Sequence, residues 1–316
     1  MARWNRTVYG TFHRMRIALL ALFLATPLVA SSVDTRLAQE IDRLDGVLRS
    51  LDTPELDKDA RPMLEGNRAL LNRARAATSP SVRVYRLRDA AVGIETLRYI
   101  IRHKADEKSL VRVQTLAKAS RASIEKPLAP MNGPALQIAL RQIAATRAQK
   151  LLRASVPFAR AASPANGLFY LGEAEGNRKY RDFVESLPLG SVSEPRPNAA
   201  AIDAALVTLE TAALAAFEKD PAGRAAVGLS ANLKEARQLA ERDMLEGAAL
   251  MMTEAQRRAG VKVPKAVRSD SIAAMWQAEE GGRDVLPLYA SLFAAAPAQA
   301  KIAKNVTVTL VRWPYT

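Results

Sequence analysis

The sequence predicts an all-α protein, with multi-helix bundles of antiparallel helices and a short extended, strand-like segment at the C-terminus. Of its 316 residues, 49% are hydrophobic and only 5% aromatic, and alanine, the strongest helix former, is abundant. Apolar side chains recur at spacings of three and four through most of the chain, which is the period of an amphipathic helix. Alternation typical of a strand occurs only near the C-terminus.

The first 31 residues have the order of a secretory signal peptide. Four arginines and no acid precede an apolar run at 17–30, and small residues follow, so we expect cleavage near Ala30 or Ser31. The run is shorter than the roughly 20 residues that span a bilayer, and no later segment has the length and apolarity of a second span. We therefore expect a periplasmic or secreted bacterial protein. An uncleaved segment acting as an anchor is the alternative.

The remaining chain divides into two helical regions. The first, 32–187, is followed by a linker or loop at 188–197, which contains three prolines, one glycine and two serines. The second region, 198–316, ends in the extended tail. The chain has no cysteine, so its stability must come from an apolar core without disulfides.

Periodicity and helix-start residues place the helices of the first region. Pro54 suits the first turn of a helix, and Ser163-Pro164 suits the start of another. The predicted helices cover 32–51, 54–77, 84–101, 110–124, 135–162 and 167–187.

The second region begins with Asn198, a residue suited to capping the Ala-rich helix that follows it. The predicted helices cover 198–219, 231–259, 270–280 and 284–295. Residues 305–313 alternate β-branched and polar residues like a strand. A single strand of this kind must pair with another extended segment, cover a groove, or lie along the helices as an ordered tail.

Positive charge is concentrated in the middle of the sequence. The formal net charge is +14, and it falls to +10 without the first 31 residues. Residues 32–59 carry a net charge of −4, residues 60–163 carry +14, and the remainder is neutral. Residues 127–172 contain no acid at all.

One helical face in this region is a candidate surface for an anionic partner. In helix 135–162, a shared side is expected to carry Arg147, Lys150, Arg153 and Arg160. The partner would be an anionic envelope component or an acidic protein. A nucleic acid suits this face less well. Export would separate the protein from the nucleic acid inside the cell, and no aromatic residues accompany these cations to stack on bases. A solvated Arg-rich face is the alternative interpretation.

The densest aromatic stretch is a second candidate site. A pocket for a small ligand could form from Phe169, Tyr170, Tyr180 and Phe183. Ordinary core packing, aided by Gly172 and Gly176, is the competing interpretation of the same residues.

The sequence offers no cofactor, metal or catalytic site. His103 is the single histidine after residue 31, which excludes paired Glu-x-x-His motifs and His/Cys zinc sites. No Gly-rich phosphate loop and no Gly-x-Ser-x-Gly element occurs. We expect a non-enzymatic binding, scaffold or interaction protein. The alternatives are an envelope-directed enzyme with a carboxylate cluster assembled by folding, and an N-terminally anchored accessory subunit.

Overall fold

The computed structural model describes residues 33–77, 80–131, 133–187, 196–219 and 224–259. Helices account for most of these residues and none of them forms a strand, which confirms the predicted all-α class for this part of the chain. The helices are α1 (Val33–Leu51), α2 (Arg61–Arg75), α3 (Pro80–Arg102), α4 (Leu110–Ile124), α5 (Ala135–Ala161), α6 (Pro164–Ser186), α7 (Ala199–Lys219), α8 (Arg224–Ala240) and α9 (Leu245–Ala259), with a 3₁₀ turn at Lys104–Asp106.

Contacts divide the described residues into two units. Unit 1 comprises the described residues up to Ile124 together with those of Leu151–Gly190, and unit 2 comprises Glu125–Lys150 with those after Ser191. Helix α5 therefore contributes its first part to unit 2 and its last part to unit 1. The sequence-based division assigned 125–150 to the first region, and the domain boundaries stay a prediction.

Helix α3 organises unit 1, because α1, α2 and α6 all contact it, while α4 packs against α6. Each helix contributes fully buried aliphatic side chains at the predicted spacing of three and four. They include Leu37 and Leu44 of α1, Leu64 and Leu71 of α2, Leu87, Ile94 and Leu97 of α3, and Leu168 and Val184 of α6. Removal of this apolar surface from water is the main stabilising contribution to the unit.

Two glycines set the close approach of α3 and α6. A Cβ atom on Gly176 would lie 2.7 Å from the carbonyl oxygen of Val92, and one on Gly172 would lie 3.2 Å from that of Thr96. Side chains at these two positions would therefore clash with the backbone of α3. The glycines at four-residue spacing serve packing, one of the two interpretations that the sequence left open.

Acidic and basic side chains from different parts of the sequence form ion pairs within unit 1. The acidic segment that starts the unit contacts basic side chains of the next helices: Asp34 pairs with Arg83 at 3.0 Å, and Asp52 with Arg68 at 2.8 Å. Further along, the ammonium of Lys104 donates to Asp57 at 2.5 Å. These pairs are largely exposed, so each adds little to stability. They do reduce the positive charge that is left unpaired on the surface.

Unit 2 contains α7, α8 and α9, each in contact with the other two. The predicted start of α7 is confirmed, since Asn198 Oδ1 accepts hydrogen bonds from the backbone N–H groups of Ala200 and Ala201 at 2.9 and 3.2 Å. The first part of α5 is tied to this unit through Gln142, which accepts from Gly247 N at 2.7 Å and donates to Glu246 at 2.8 Å.

The predicted start of the second helix was wrong. The chain forms hydrogen-bonded turns after Thr53, and α2 begins only at Arg61, with Pro62 rather than Pro54 in its first turn. Both prolines suit a helix start. Between the two prolines, however, Asp57 Oδ1 accepts a hydrogen bond from the backbone N–H of Asp59 at 3.0 Å and stabilises a turn.

The predicted single helix at 231–259 is also wrong, because the chain forms two helices there, α8 and α9, and α8 begins at Arg224, seven residues before the predicted start. Asp243 has a φ of 58°, the left-handed conformation that ends a helix, and the N–H groups of Arg242, Asp243 and Met244 bond back to α8. Asparagine and aspartate tolerate this conformation better than most residues, but neither glycine nor proline marks the break.

Several predicted features lie outside the described residues. They are the signal peptide at 1–31, all of the linker before Arg196, the helices at 270–280 and 284–295, and the extended segment at 305–313.

Candidate functional site

Unit 1 has an open groove of about 450 Å³ between α1 and α6. Helix α1 contributes Arg36, Glu40 and Arg43, one and two turns apart on one face. Helix α6 contributes Arg178, Lys179, Asp182 and Phe183. We call these residues the charged groove. Its lining has four cations, two carboxylates and one aromatic ring. Two further carboxylates beside the lining, Glu95 and Glu175, bind three of these cations.

A buried carboxylate of α3 fixes two of these cations. The side chain of Glu95 is only 1% exposed, and it accepts from Arg43 Nη1 at 2.8 Å and from Lys179 Nζ at 2.6 Å. Burial by itself raises the pKa of Glu95, but the hydrogen bonds from Lys179 and Arg43 outweigh it and hold the pKa below its usual value. Glu95 is therefore ionised at neutral pH and joins α1 to α6 through α3.

Further carboxylates orient the guanidinium groups. Glu40 binds Arg43 through Nε and Nη2, both at 2.8 Å, so Arg43 has a bidentate partner as well as Glu95. Arg178 is held between Glu175, at 2.6 and 2.8 Å, and Asp182 at 2.6 Å. Paired side chains of this kind hold one geometry, and bidentate pairing suits the planar guanidinium group.

Arg36 is the exception among the groove cations. It is exposed, and no described residue makes a hydrogen bond or ion pair with it. Its guanidinium can therefore bind an incoming anion without first breaking an internal pair.

The four residues of the predicted basic face do not share one environment. Arg147 binds Glu235 of α8 through Nε and Nη2 at 2.7 and 3.0 Å, so its charge is paired within unit 2. Lys150, Arg153 and Arg160 are exposed. Lys150 belongs to unit 2, whereas Arg153 and Arg160 belong to unit 1. On the opposite side of the helix, Ala145 and Leu152 are buried.

The predicted aromatic residues form two separate clusters on α6. Tyr170 stacks on Phe158 of α5 with 4.5 Å between ring centroids, and the Phe169 ring meets it edge-on at 6.3 Å. Tyr180 lies near Phe183, at 6.5 Å. Phe183 alone lines the charged groove, and Tyr180 is 1% exposed with its hydroxyl donating to Val84 O at 2.8 Å. The pocket of four aromatic residues stays a prediction.

The first aromatic cluster lies at the end of a helical hairpin, where Ala162 and Ser163 connect α5 to α6. Ser163 Oγ accepts from Asn166 N at 3.3 Å and caps α6, and Gly167 packs against Ala159. This close junction leaves the rings at the outside, with Phe158 45% and Phe169 37% exposed. We call Phe158, Phe169 and Tyr170, with the exposed Ala161, Ala162 and Ala165, the hairpin tip.

The other titratable groups considered in the sequence lie apart from the groove's lining. His103 sits at the end of α3, where Nδ1 is 3.2 Å from Asp106 and the ring centroid is 4.5 Å from that of Tyr99. Burial raises the pKa of Tyr99 to about 12. Among the described residues, no group of three or more His, Asp or Glu side chains has the arrangement of a metal site.

Glu95 is the functional candidate that the sequence analysis missed. A usable indication existed, because Glu95 is the only acid between Asp89 and Asp106 and is adjacent to the buried Ile94. The periodicity of α3 could have identified a carboxylate directed into the helix bundle, but not the cations that meet it.

Comparison with known proteins gives no further guide to function, since no family model, curated protein or solved structure matches the chain. None of the described helices combines the length and the hydropathy needed to cross a membrane.

Proposed function

We propose that this chain is an exported, non-enzymatic binding protein, and that the charged groove of unit 1 takes an anionic component of the bacterial envelope. The observation that carries the proposal is a groove of about 450 Å³ in which carboxylates hold three cations in place and a fourth, Arg36, has no partner among the described residues. That volume lies within the range of ordinary small-ligand sites, roughly 300–1,000 Å³.

The internal pairing in the groove supports a binding role. Glu95 and Glu40 hold Arg43 from two sides, so that cation is already ordered before a ligand arrives. Cations ordered in advance lose less conformational entropy when they bind a phosphate or carboxylate. Arg36, which is exposed and has no partner among the described residues, adds a further cation at the same site.

The carboxylates of the groove favour binding over proton-transfer chemistry. A general acid needs a raised pKa to hold its proton at neutral pH. The pKa of Glu95 is instead below its usual value, because Lys179 and Arg43 overcome the effect of burial. Glu40 and Asp182 are also bound to guanidinium groups. These carboxylates therefore serve to position cations.

Export is the other half of the proposal. It rests on the basic, apolar and small residues at 1–31, and it places the groove among the phosphate- and carboxylate-bearing polymers and lipids of the envelope. A short polyphosphate is a suitable soluble probe, because it presents the same anionic group without a lipid surface.

Substitution of Arg36 tests the groove. We expect Arg36→Gln to weaken polyphosphate binding about tenfold at low salt, since a charge-assisted contact to phosphate is lost without disturbing an internal pair. The matched control is Lys118→Gln, which removes the same charge from the exposed side of α4 and should change affinity little. Isothermal titration calorimetry of the three proteins gives the dissociation constants.

Equal losses in both variants would contradict the proposal, because they would show a response to net charge and not to the groove. Absence of any saturable binding in the wild-type protein would contradict it as well.

A further inference from the structure

The hairpin tip exposes apolar surface that the fold does not use. Phe158 and Phe169 are 45% and 37% exposed, and they are two of the five most exposed large hydrophobic side chains among the described residues. Tyr170 lies between them and keeps the rings in one cluster, with centroid distances of 4.5 and 6.3 Å. The hairpin connection consists of Ala162 and Ser163, so it has no large polar side chain to cover the rings.

The sequence that forms the tip is positively charged and lacks acids as far as Glu173, one helical turn after Phe169. No aspartate or glutamate occurs from residue 127 to residue 172, which includes all of α5, the connection and the first third of α6. Arg153 and Arg160 are exposed on the same end of α5. At 100° per residue, they lie on the flank opposite Phe158, so the end of the helix carries rings on one side and guanidinium groups on the other.

We propose that the hairpin tip docks onto an anionic lipid bilayer. Aromatic side chains have a preferred position at the boundary between lipid headgroups and acyl chains, and arginine is attracted to anionic headgroups. An acid in this region would be repelled by the same headgroups, and the sequence has none. The interaction is independent of the charged groove, which lies between α1 and α6 and does not include the hairpin tip.

The contact is shallow and reversible. Two partly exposed rings and the ends of two helices present far less apolar surface than a membrane-spanning segment. The expected binding therefore needs both the rings and the cations, and it weakens when salt screens the headgroup charge.

The absence of cysteine makes a site-specific test straightforward, because one introduced cysteine carries one environment-sensitive fluorophore. We would label Ala165→Cys at the tip and, as a control, Gly46→Cys, an exposed position of α1 with no neighbouring atom within 4 Å of a Cβ. The full chain would be taken from the host's exported fraction. Each labelled protein would be mixed with vesicles of phosphatidylcholine alone or of equal parts phosphatidylcholine and phosphatidylglycerol.

The expected result is a blue shift of the tip label on the mixed vesicles alone, with no shift of the control label. A retained N-terminal anchor would bring both proteins to the vesicles, but it would not place the tip label in an apolar environment. Substituting both Phe158 and Phe169 by serine should lower partitioning about tenfold, and Arg160→Gln about fivefold. Circular dichroism would verify that the variants remain helical.

Three results would overturn the proposal. The tip label could fail to respond to anionic vesicles, or the double serine variant could bind them as well as the wild type. Alternatively, the wild type could form a dimer that requires Phe158 and ignores lipid, which would make the tip an interface between copies of the chain. Polyphosphate affinity of the double serine variant separates the two sites, since it should be unchanged if the groove functions alone.

Discussion

Glu95 is one buried charge with contacts on three helices. Its carboxylate belongs to α3, while the groups that neutralise it, Arg43 and Lys179, extend from α1 and α6. Removing one member of such a set leaves the others without their partner in a poorly hydrated place, which costs more than the loss of an exposed ion pair.

Replacement of Glu95 by glutamine should therefore destabilise the protein at neutral pH. We expect Glu95→Gln to lower the free energy of unfolding by about 2 kcal/mol, because both partners keep partial access to water. Urea denaturation followed by circular dichroism measures the change. Glu65→Gln, which removes an exposed carboxylate of α2, should cost no more than about 1 kcal/mol.

The difference in stability between the wild type and Glu95→Gln should also depend on pH, in a direction that the pKa of Glu95 determines. The pKa of Glu95 is lowered in the folded protein, so the stability it adds is fully present above the unfolded pKa, about 4.3, and is lost as pH falls through the folded value. The difference between wild type and Glu95→Gln should stay the same from neutral pH down to the unfolded pKa and narrow as the pH falls below it. A difference that stays constant below the unfolded pKa as well would mean that the ionised carboxylate does not contribute to stability.

At the scale of elements, the contact between α3 and α6 depends on glycine. Gly176→Ala would place a methyl group 2.7 Å from the carbonyl oxygen of Val92, and backbone cannot move aside as a side chain can. We expect a loss of about 1–3 kcal/mol in the free energy of unfolding. Thermal and urea unfolding would both show it.

Gly46→Ala is the matched substitution, since Gly46 is a helical glycine of α1 with open space around its Cβ position. It should stabilise the protein by about 0.5–1 kcal/mol, because alanine favours the helix over the unfolded chain. If Gly176→Ala stabilised the protein as much as Gly46→Ala does, there would be room for a methyl group between α3 and α6 at this position.

Helix positions followed from sequence wherever local rules governed them. Asn198 and Ser163 cap helices as predicted, and the spacing of the aliphatic residues identified the buried faces of α1 and α3. The start of α2 was misplaced because both Pro54 and Pro62 suit the first turn of a helix. The break between α8 and α9 was missed because Asp243 is not a residue that strongly ends helices.

The candidate sites were harder to predict, because they depend on contacts between distant residues. Arg147 belongs to the predicted basic face by its position on α5, but its partner, Glu235, is 88 residues away in the sequence. Tyr170 and Tyr180 are near each other in the sequence, yet they meet different rings. Periodicity gives the face of a helix and does not identify the element opposite.

For the molecule as a whole, the proposed export gives a direct prediction. When the full chain is expressed in a Gram-negative host, we expect a soluble periplasmic protein that lacks 30 or 31 residues, because the basic and apolar start is a signal peptide. Intact mass and N-terminal sequencing measure this. A full-length protein in the membrane fraction would instead support the anchored alternative.

The composition of unit 1 also determines when its fold can be completed. A ribosome or an export channel delivers the chain from its N-terminus, so α1 to α4 emerge before α6, whose glycine face and Lys179 complete the packing around α3. Glu95 and Lys179 are 84 positions apart in the sequence. Contacts between residues that are so far apart in the sequence slow folding. Until α6 is present, the apolar surface of α3 that it covers stays exposed to solvent. In unit 1, a holding chaperone could therefore cover this apolar surface until α6 has been delivered.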